Sequence, residues 1–384
     1  MKVTFLGLTI TSSWGNGHAT TYRSLLKALA RRGHHLVFIE KDVEWYRSNR
    51  DLPCAPWCDI LLYRDWVRRG RFLAVSHARE SDVVVIGSYF PDAVAATADL
   101  LGATTTPLLF YDIDTPVTLA QLRSAGRADY LDATDIPRYA AYLSFTGGPV
   151  LRELELRFGS PLAVPLYCSV DPAQHHKTAP RREFRCDMSY LGTYAADRQP
   201  KLETLLLAPA RRLPQKQFLV AGPMYPNDIA WESNVARLDH VPPPDHPSLY
   251  SSARFTLNLT RADMVAAGYS PSVRLFEASA CGAAILSDAW PGIETFFRPG
   301  EEILLAQSAE NVTDILTHMS NAEAQRIGQR ARERVLAAHT ADHRAQEFES
   351  IAERALAPVA QPRAQKSARK TSPIPAGASA GLLT

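Results

Sequence analysis

Ser270-Pro271-Ser272-Val273-Arg274-Leu275-Phe276-Glu277-Ala278-Ser279-Ala280-Cys281-Gly282, with Ala284-Ile285-Leu286-Ser287-Asp288 behind it, is the densest pattern in this 384-residue chain. Ser270 or Ser272 suits a helix N-cap, Pro271 the first turn, and Gly282 the stop. A short helix therefore feeds a short apolar strand. Its leading N–H groups carry the positive end of the helix dipole, which suits a phosphate. Glu277 follows about five residues on, or roughly 7.5 Å at 1.5 Å rise per residue. That spacing suits a diphosphate at the helix start and ribose hydroxyls at the carboxylate. A plainer reading makes Arg274 and Glu277, three residues apart, an exposed ion pair.

Outward from this helix, strand-like apolar runs alternate with helical stretches, the pattern of α/β layers around parallel sheets. The pattern runs twice. The first half offers strands at Val3–Ile10, Leu36–Glu40, Val83–Gly87, Leu108–Asp112, Leu143–Phe145 and Leu162–Leu166, with helices at Thr20–Arg32, Asp92–Leu101 and Val117–Ser124. The second half reads as strands at Met188–Leu191, Phe218–Ala221, Leu238–Val241, Phe255–Leu259, Ala284–Ser287 and Ile303–Ala306. Helices fall at Pro200–Arg212, Pro247–Ser252 and Ser272–Cys281, and two long Ala-, Arg- and Glu-rich helices run on to Leu356. The polar stretch that follows Asp171-Pro172 and runs through Arg185 reads as a linker between the halves.

The length accommodates two domains. Apolar residues at 46% and charged residues at 21% exclude a disordered or fibrous chain. No apolar run approaches the roughly 18 residues of a membrane span, and Val3–Ile10 lacks a signal-peptide cleavage site. The expectation is a cytoplasmic protein without a transmembrane segment, for which peripheral membrane contact stays open. Lys and Arg total 42 against 40 Asp and Glu, a net +2 that is no footprint of a nucleic-acid binder. Arg363, Lys366, Arg369 and Lys370 lie in an acid-free tail from Pro358, expected to be disordered. Five cysteines without paired CxxC motifs read as reduced thiols, and no metal cluster is expected.

Other loops at strand ends carry chemistry-bearing residues. Gly192 and Thr193 follow the first strand of the second half, with the cations Arg198 and Lys201 beyond them. A glycine there lets backbone approach a phosphate that the cations neutralise; a solvated helix face is the plainer reading of Lys201. Asn258, Thr260 and Arg261 end a later strand and face the same cleft if the sheet is parallel. In the first half, Trp14-Gly15-Asn16-Gly17-His18 lies between a strand and a helix. His18 suits a base or donor there, or else an ordinary helix cap. Asp112-Ile113-Asp114 closes another strand, with Asp112 as a structural cap or a ligand contact. His34-His35 and His175-His176 are expected in surface or strand-start roles, not as ligands. A dinucleotide fold is a competitor, with Glu40 as its ribose acid, but a GxGxxG motif would need glycine where Thr20 stands.

The quoted helix, together with Phe297-Arg298-Pro299-Gly300-Glu301-Glu302, resembles the carboxyl-terminal donor site of GT-B nucleotide-sugar glycosyltransferases. It is most similar to the CgeB-like branch of spore maturation type, with its R-x-F-E-A-x-A-C-G-A and F-x-P-G-x-E patterns. The likeness extends over most of residues 1–340, weakly in the first half and strongly in the second. It implies two facing Rossmann-like α/β domains with parallel sheets and a C-terminal crossover helix. The expected divisions are an acceptor domain over 1–172, a linker over 173–186, a donor domain over 187–340, a crossover helix over 341–357 and the tail over 358–384.

On the donor side the resemblance implies that Glu277 holds the ribose of a nucleoside diphosphate and that Ser270 and Ser272 sit under the phosphates. Gly192, Thr193, Arg198, Arg261 and Arg274 join them, and the base lies against the backbone at Val241. On the acceptor side, Trp14, Gly15, Asn16, Gly17 and Asp112 bind, with His18 or Asp114 as base. Many retaining relatives carry a further Glu eight residues before the ribose acid, where this chain has Tyr269. The implied activity is metal-independent sugar transfer to an acceptor hydroxyl, with no cofactor beyond the nucleoside-diphosphate sugar as co-substrate. A non-catalytic nucleotide-sugar-binding protein, a sugar-nucleotide epimerase and an NAD(P)-dependent oxidoreductase are the alternatives.

Overall fold

The computed structural model describes residues 1–14 and 17–357, so Gly15, Asn16 and the tail from 358 lie outside the described residues. The chain opens with β1 (Lys2–Leu6), α1 (His18–Arg31), β2 (His35–Lys41), α2 (Glu44–Arg47), β3 (Asp59–Tyr63), a π turn over Trp66–Gly70 and α3 (Arg71–Arg79). It continues through β4 (Val83–Gly87), α4 (Ala93–Ala103), β5 (Leu108–Asp112), α5 (Thr115–Ala125), the small ribbon β6 (Arg127–Ala128) and β7 (Leu131–Asp132), β8 (Ala141–Ser144), α6 (Pro149–Leu156) and β9 (Ala163–Pro165).

The second half holds β10 (Cys186–Leu191), α7 (Gln199–Leu202), α8 (Ala208–Arg212), β11 (Phe218–Ala221), β12 (Val235–Leu238), α9 (His246–Ser252), β13 (Ala253–Asn258), α10 (Ala262–Ala267), α11 (Val273–Ala280), β14 (Ala284–Ser287) and β15 (Leu304–Leu305). Three helices close the chain: α12 (Ala309–His318), α13 (Asn321–Ala338) and α14 (Ala341–Leu356).

Two parallel sheets result, ordered β3-β2-β1-β4-β5-β8-β9 and β12-β11-β10-β13-β14-β15. Each is covered on both faces, which explains apolar runs without alternation. In Val83-Val84-Val85-Ile86 the odd residues join the cluster under α1 and α14, and the even residues join the cluster under α3 and α4. Phe5 pairs with both Phe38 and Val85, and Met188 with both Phe218 and Phe255, so each sheet has an aromatic centre. Two Rossmann-like domains are therefore present, each reversing its strand order beside its first strand. Ligands bind outside the carboxyl ends of strands at such a reversal.

The final helix returns to the first sheet. Phe348 of α14 packs 5.8 Å from the Phe5 ring, and Glu349 takes hydrogen bonds from Arg32 and His34. Arg344 donates to the carbonyl of Tyr167, at the crossing between the sheets. Several elements differ from the sequence expectation. The first strand stops at Leu6; β3, α2, α3, α6 and α10 were unforeseen; three helices rather than two fill the stretch up to Leu356; and the strand expected at Leu238–Val241 lies at Val235–Leu238 instead. Pro242 and Pro243 lack ladder N–H groups, so the chain leaves the sheet before them.

Candidate functional site

In the second sheet the reversal lies between β10 and β13, and the loops after these strands bring together Gly192, Arg198, Arg261 and the start of α11. Ser272 is the N-cap residue of α11, but its hydroxyl donates to Asn258 Oδ1 at 2.7 Å, and the first N–H groups receive no side-chain cap. Arg274 donates from Nη1 to the same Asn258 oxygen and from Nε to the carbonyl of Leu191. Gly192 has no room for a side chain: a Cβ would lie 2.8 Å from the Tyr190 hydroxyl and 3.0 Å from Arg274 Nη2. Arg198 is turned inward and donates to the carbonyl of Thr193. Burial lowers its pKa, and the neighbouring cations Arg274 and Arg261 lower it further. Neither Arg198 nor Arg274 has a carboxylate at ion-pair distance among the described residues. Lys201 differs: it pairs with Asp288 at 2.6 Å, which replaces the solvated-face reading.

Glu277 is buried, at 9% exposure, and makes no ion pair with Arg274. The exposed-pair reading is thereby corrected. Its neighbours are histidines: His175 Nε2 stands 3.7 Å from Glu277 Oε1, and His246 donates through Nε2 to the carbonyl of Val241 at 3.0 Å. Burial lowers the His246 pKa, while the Glu277 carboxylate pulls it the other way. His175 is itself buried and its Nε2 has no hydrogen-bond partner among the described residues. The surface role expected for it is corrected, because the linker folds back against α11. His175, His246 and Glu277 each offer one ligand atom within 4.8 Å of the others, a two-imidazole, one-carboxylate set that could hold a metal ion.

In the first sheet the reversal lies between β1 and β4. His18 opens α1 behind the N-cap Gly17 and leaves Nδ1 unpartnered among the described residues. Burial lowers its pKa to about 4, so the imidazole is neutral near pH 7. Its ring stands edge-on to Tyr89 at 5.2 Å, and the Tyr89 hydroxyl donates to Asp114 at 3.2 Å. Tyr89 was missed by sequence reasoning; it lies two residues past the end of β4 with φ of 62°, a left-handed value that non-glycine residues rarely adopt. Burial raises the Asp114 pKa, and Arg261 from the other domain lowers it.

Asp112 does not reach the cleft. It is fully buried and accepts from Tyr142, Thr118 and the backbone of Asp114, which corrects its acceptor role to the structural cap. Burial pushes its pKa up to about 6. Gly17 has open space where a Cβ would stand, so no contact among the described residues demands glycine there. Glu40 is fully buried and takes four hydrogen bonds from Thr9, Ile10 and Thr11, which removes it as a dinucleotide ribose acid.

The domains meet through named contacts. Thr146 donates to the Ser270 hydroxyl at 2.9 Å, Gly147 N–H to the Tyr269 carbonyl at 3.0 Å, and the rings of Trp14 and His240 are 6.1 Å apart. Tyr269 has φ of 48°, and its ring is wedged between Gly148 and Gly292, where added Cβ atoms would come within 2.3 and 2.5 Å of it. Ser270 is thus a bridge between domains, buried beneath the helix start.

Residues 198–350 match the model of a family described as glycosyl transferase-like. Solved structures match nearly the whole chain. Sucrose-phosphate synthase from Thermosynechococcus elongatus is 15% identical with a TM-score of 0.66, over 92% of this chain and 98% of that one. The fold is GT-B. A second GT-B structure, Anabaena HepE in complex with UDP and glucose, is 14% identical with a TM-score of 0.65, over 91% of this chain and 98% of that one. A third, an alpha-glucosyltransferase in complex with UDP, is 11% identical with a TM-score of 0.66, over 92% and 100%. No curated protein matches the chain in sequence. No helix among the described residues is long and apolar enough to cross a membrane.

Proposed function

We propose that this chain is a glycosyltransferase of the CgeB-like branch, acting in the cytoplasm, that moves a sugar from a nucleoside-diphosphate donor to an acceptor hydroxyl. One observation carries the reading: Arg198 and Arg274 converge, without carboxylate partners among the described residues, at the uncapped start of α11, about one and a half turns before the buried Glu277. Two cations and a helix dipole there suit a diphosphate, and a buried carboxylate beyond them suits vicinal hydroxyls. The GT-B fold, the glycosyl transferase-like match and the UDP or UDP and glucose in the HepE and alpha-glucosyltransferase complexes support it.

The donor's diphosphate would lie against Arg198, Arg274 and the first turn of α11, its ribose at Glu277 and its base by the backbone at Val241. As the glycosidic bond to the diphosphate breaks, negative charge grows on the leaving oxygen, and the fixed cations and dipole stabilise it. His18, neutral and facing the cleft from the first domain, takes the proton of the acceptor hydroxyl, while Tyr89 and Arg261 hold Asp114 beside it. No cofactor beyond the sugar nucleotide is invoked, and metal independence is part of the proposal.

A thermal-shift screen of nucleoside diphosphates and their sugars against nicotinamide dinucleotides tests it. Ligands that bind the folded state raise its stability by RT ln(1 + [L]/Kd). Stabilisation by dinucleotides alone would overturn the reading.

A further inference from the structure

β3 is the edge strand of the first sheet, and just after its carboxyl end the chain enters the π turn and α3. The inner side of this segment is firmly seated. Trp66 packs edge-on to Tyr63 and Phe90 and donates to Asp99, while Leu73, Ala74 and Ala78 join the core. Gly70 fits closely: a Cβ there would come within 2.7 Å of the Trp66 and Tyr63 rings.

The outer side departs from an ordinary solvated helix. Val67 is 82% exposed and Phe72 64% exposed. The π turn adds a residue to the helical repeat, so these two, five apart in sequence, come onto one face. Around them stand Arg64, Arg68, Arg69 and Arg71, and over residues 64–79 five arginines face the single acid Asp65. Arg64 pairs with Asp42 and Arg71 with Asp99, but Arg68 and Arg69 have no ion pair among the described residues. Trp45, 60% exposed, follows β2 on the same rim, in the segment that supplies Asp42.

We propose that this face docks the protein on an anionic lipid surface. Phe72, Val67 and Trp45 enter the boundary between headgroups and acyl chains, and the arginines meet lipid phosphates. Separate apolar tips projecting among cations suit a bilayer, which accepts such a tip anywhere. A nucleic acid would use the arginines and leave Val67 in water. The face borders the rim formed by the carboxyl ends of the first-sheet strands, so docking places the bilayer beside the cleft, on the side of His18 and Asp114. The inference stands apart from the nucleotide reading.

The test is flotation of the full chain with phosphatidylcholine vesicles and with vesicles that also contain phosphatidylglycerol. Binding is expected to the second alone and to weaken with salt. The double variants Val67→Ser/Phe72→Ser and Arg68→Glu/Arg69→Glu should each lose about tenfold or more in vesicle affinity, with unchanged melting, since the replaced side chains are exposed. Both variants keep the basic tail, so undiminished binding in both would assign the lipid contact to the tail and overturn the proposal. So would absence of binding to the anionic vesicles, a dimer that Phe72→Ser dissociates, or tighter binding to a nucleic acid that survives Val67→Ser/Phe72→Ser.

Discussion

His175 Nε2 stands 3.7 Å from Glu277 Oε1, and both groups are inside the protein. The distance is too long for a hydrogen bond, and this imidazole nitrogen has no partner among the described residues. Native structures satisfy nearly all buried polar atoms, so this nitrogen is free to meet a ligand group. In the donor reading, the ribose hydroxyls lie against this pair. His175→Phe keeps an aromatic ring of similar bulk and removes both ring nitrogens. It is expected to weaken nucleoside-diphosphate binding by about tenfold, or roughly 1.4 kcal/mol, while the protein still melts cooperatively. Titration calorimetry checks it; unchanged affinity would remove His175 from the site.

The His18 imidazole must be neutral to take a proton, and burial lowers its pKa to about 4. Activity should therefore persist as pH falls through 6.5 and decline only as it approaches that lower value. An acidic limb of kcat/KM near 6.5 would contradict the assignment. His18→Ala should cut turnover by about 10²- to 10⁴-fold with donor affinity nearly unchanged. Wild-type turnover would pass the role to Asp114, for which Asp114→Asn is the matching test.

Much of the fold was legible because buried parallel strands such as Val83–Gly87 and Leu108–Asp112 are apolar on both faces. The stop at Gly282, where φ is 76°, was legible in the same way. Short elements were not: β3 is five residues between a Pro- and Trp-rich turn and an arginine-rich helix, and its edge position needs little apolar content. Within the candidate site, the placement of Arg274 and Glu277 on one short helix could be read because helix spacing is local. His175 could not, since only the return of the linker against α11 brings it there. Tyr89 had one signal, its place two residues past a strand beside the sheet's reversal.

Gly148 has φ of 64° and ψ of −140°, and a Cβ there would lie 2.3 Å from the Tyr269 ring. Gly148→Ala is expected to cost about 2 kcal/mol or more, from backbone strain and the displaced ring. Gly17→Ala, with φ of −79° and open space around it, should leave melting unchanged. Equal melting of the two variants would show that the wedged ring does not fix the domain contact.

Donor binding is expected to survive chelation, since the diphosphate is read as held by Arg198, Arg274 and a helix terminus. His175, His246 and Glu277 give the contrary outcome a definite place. Metal analysis of the purified chain, with turnover before and after chelator, decides it. Loss of turnover that returns with added metal would overturn metal independence.

The most direct test is Glu277→Gln, measured as donor affinity by calorimetry beside a thermal melt. A carboxylate accepts from both vicinal ribose hydroxyls, and hydrogen bonds to a charged group contribute roughly 1.5 to 3 kcal/mol each. The amide keeps the shape but replaces one acceptor with a donor. The account predicts a rise in Kd of about tenfold or more, from roughly 1.4 kcal/mol upward, with melting almost unchanged. A 2′-deoxy donor should bind the wild type poorly and lose little more in the variant. Wild-type affinity of Glu277→Gln for the ribonucleotide donor would contradict the donor site and the transferase reading built on it.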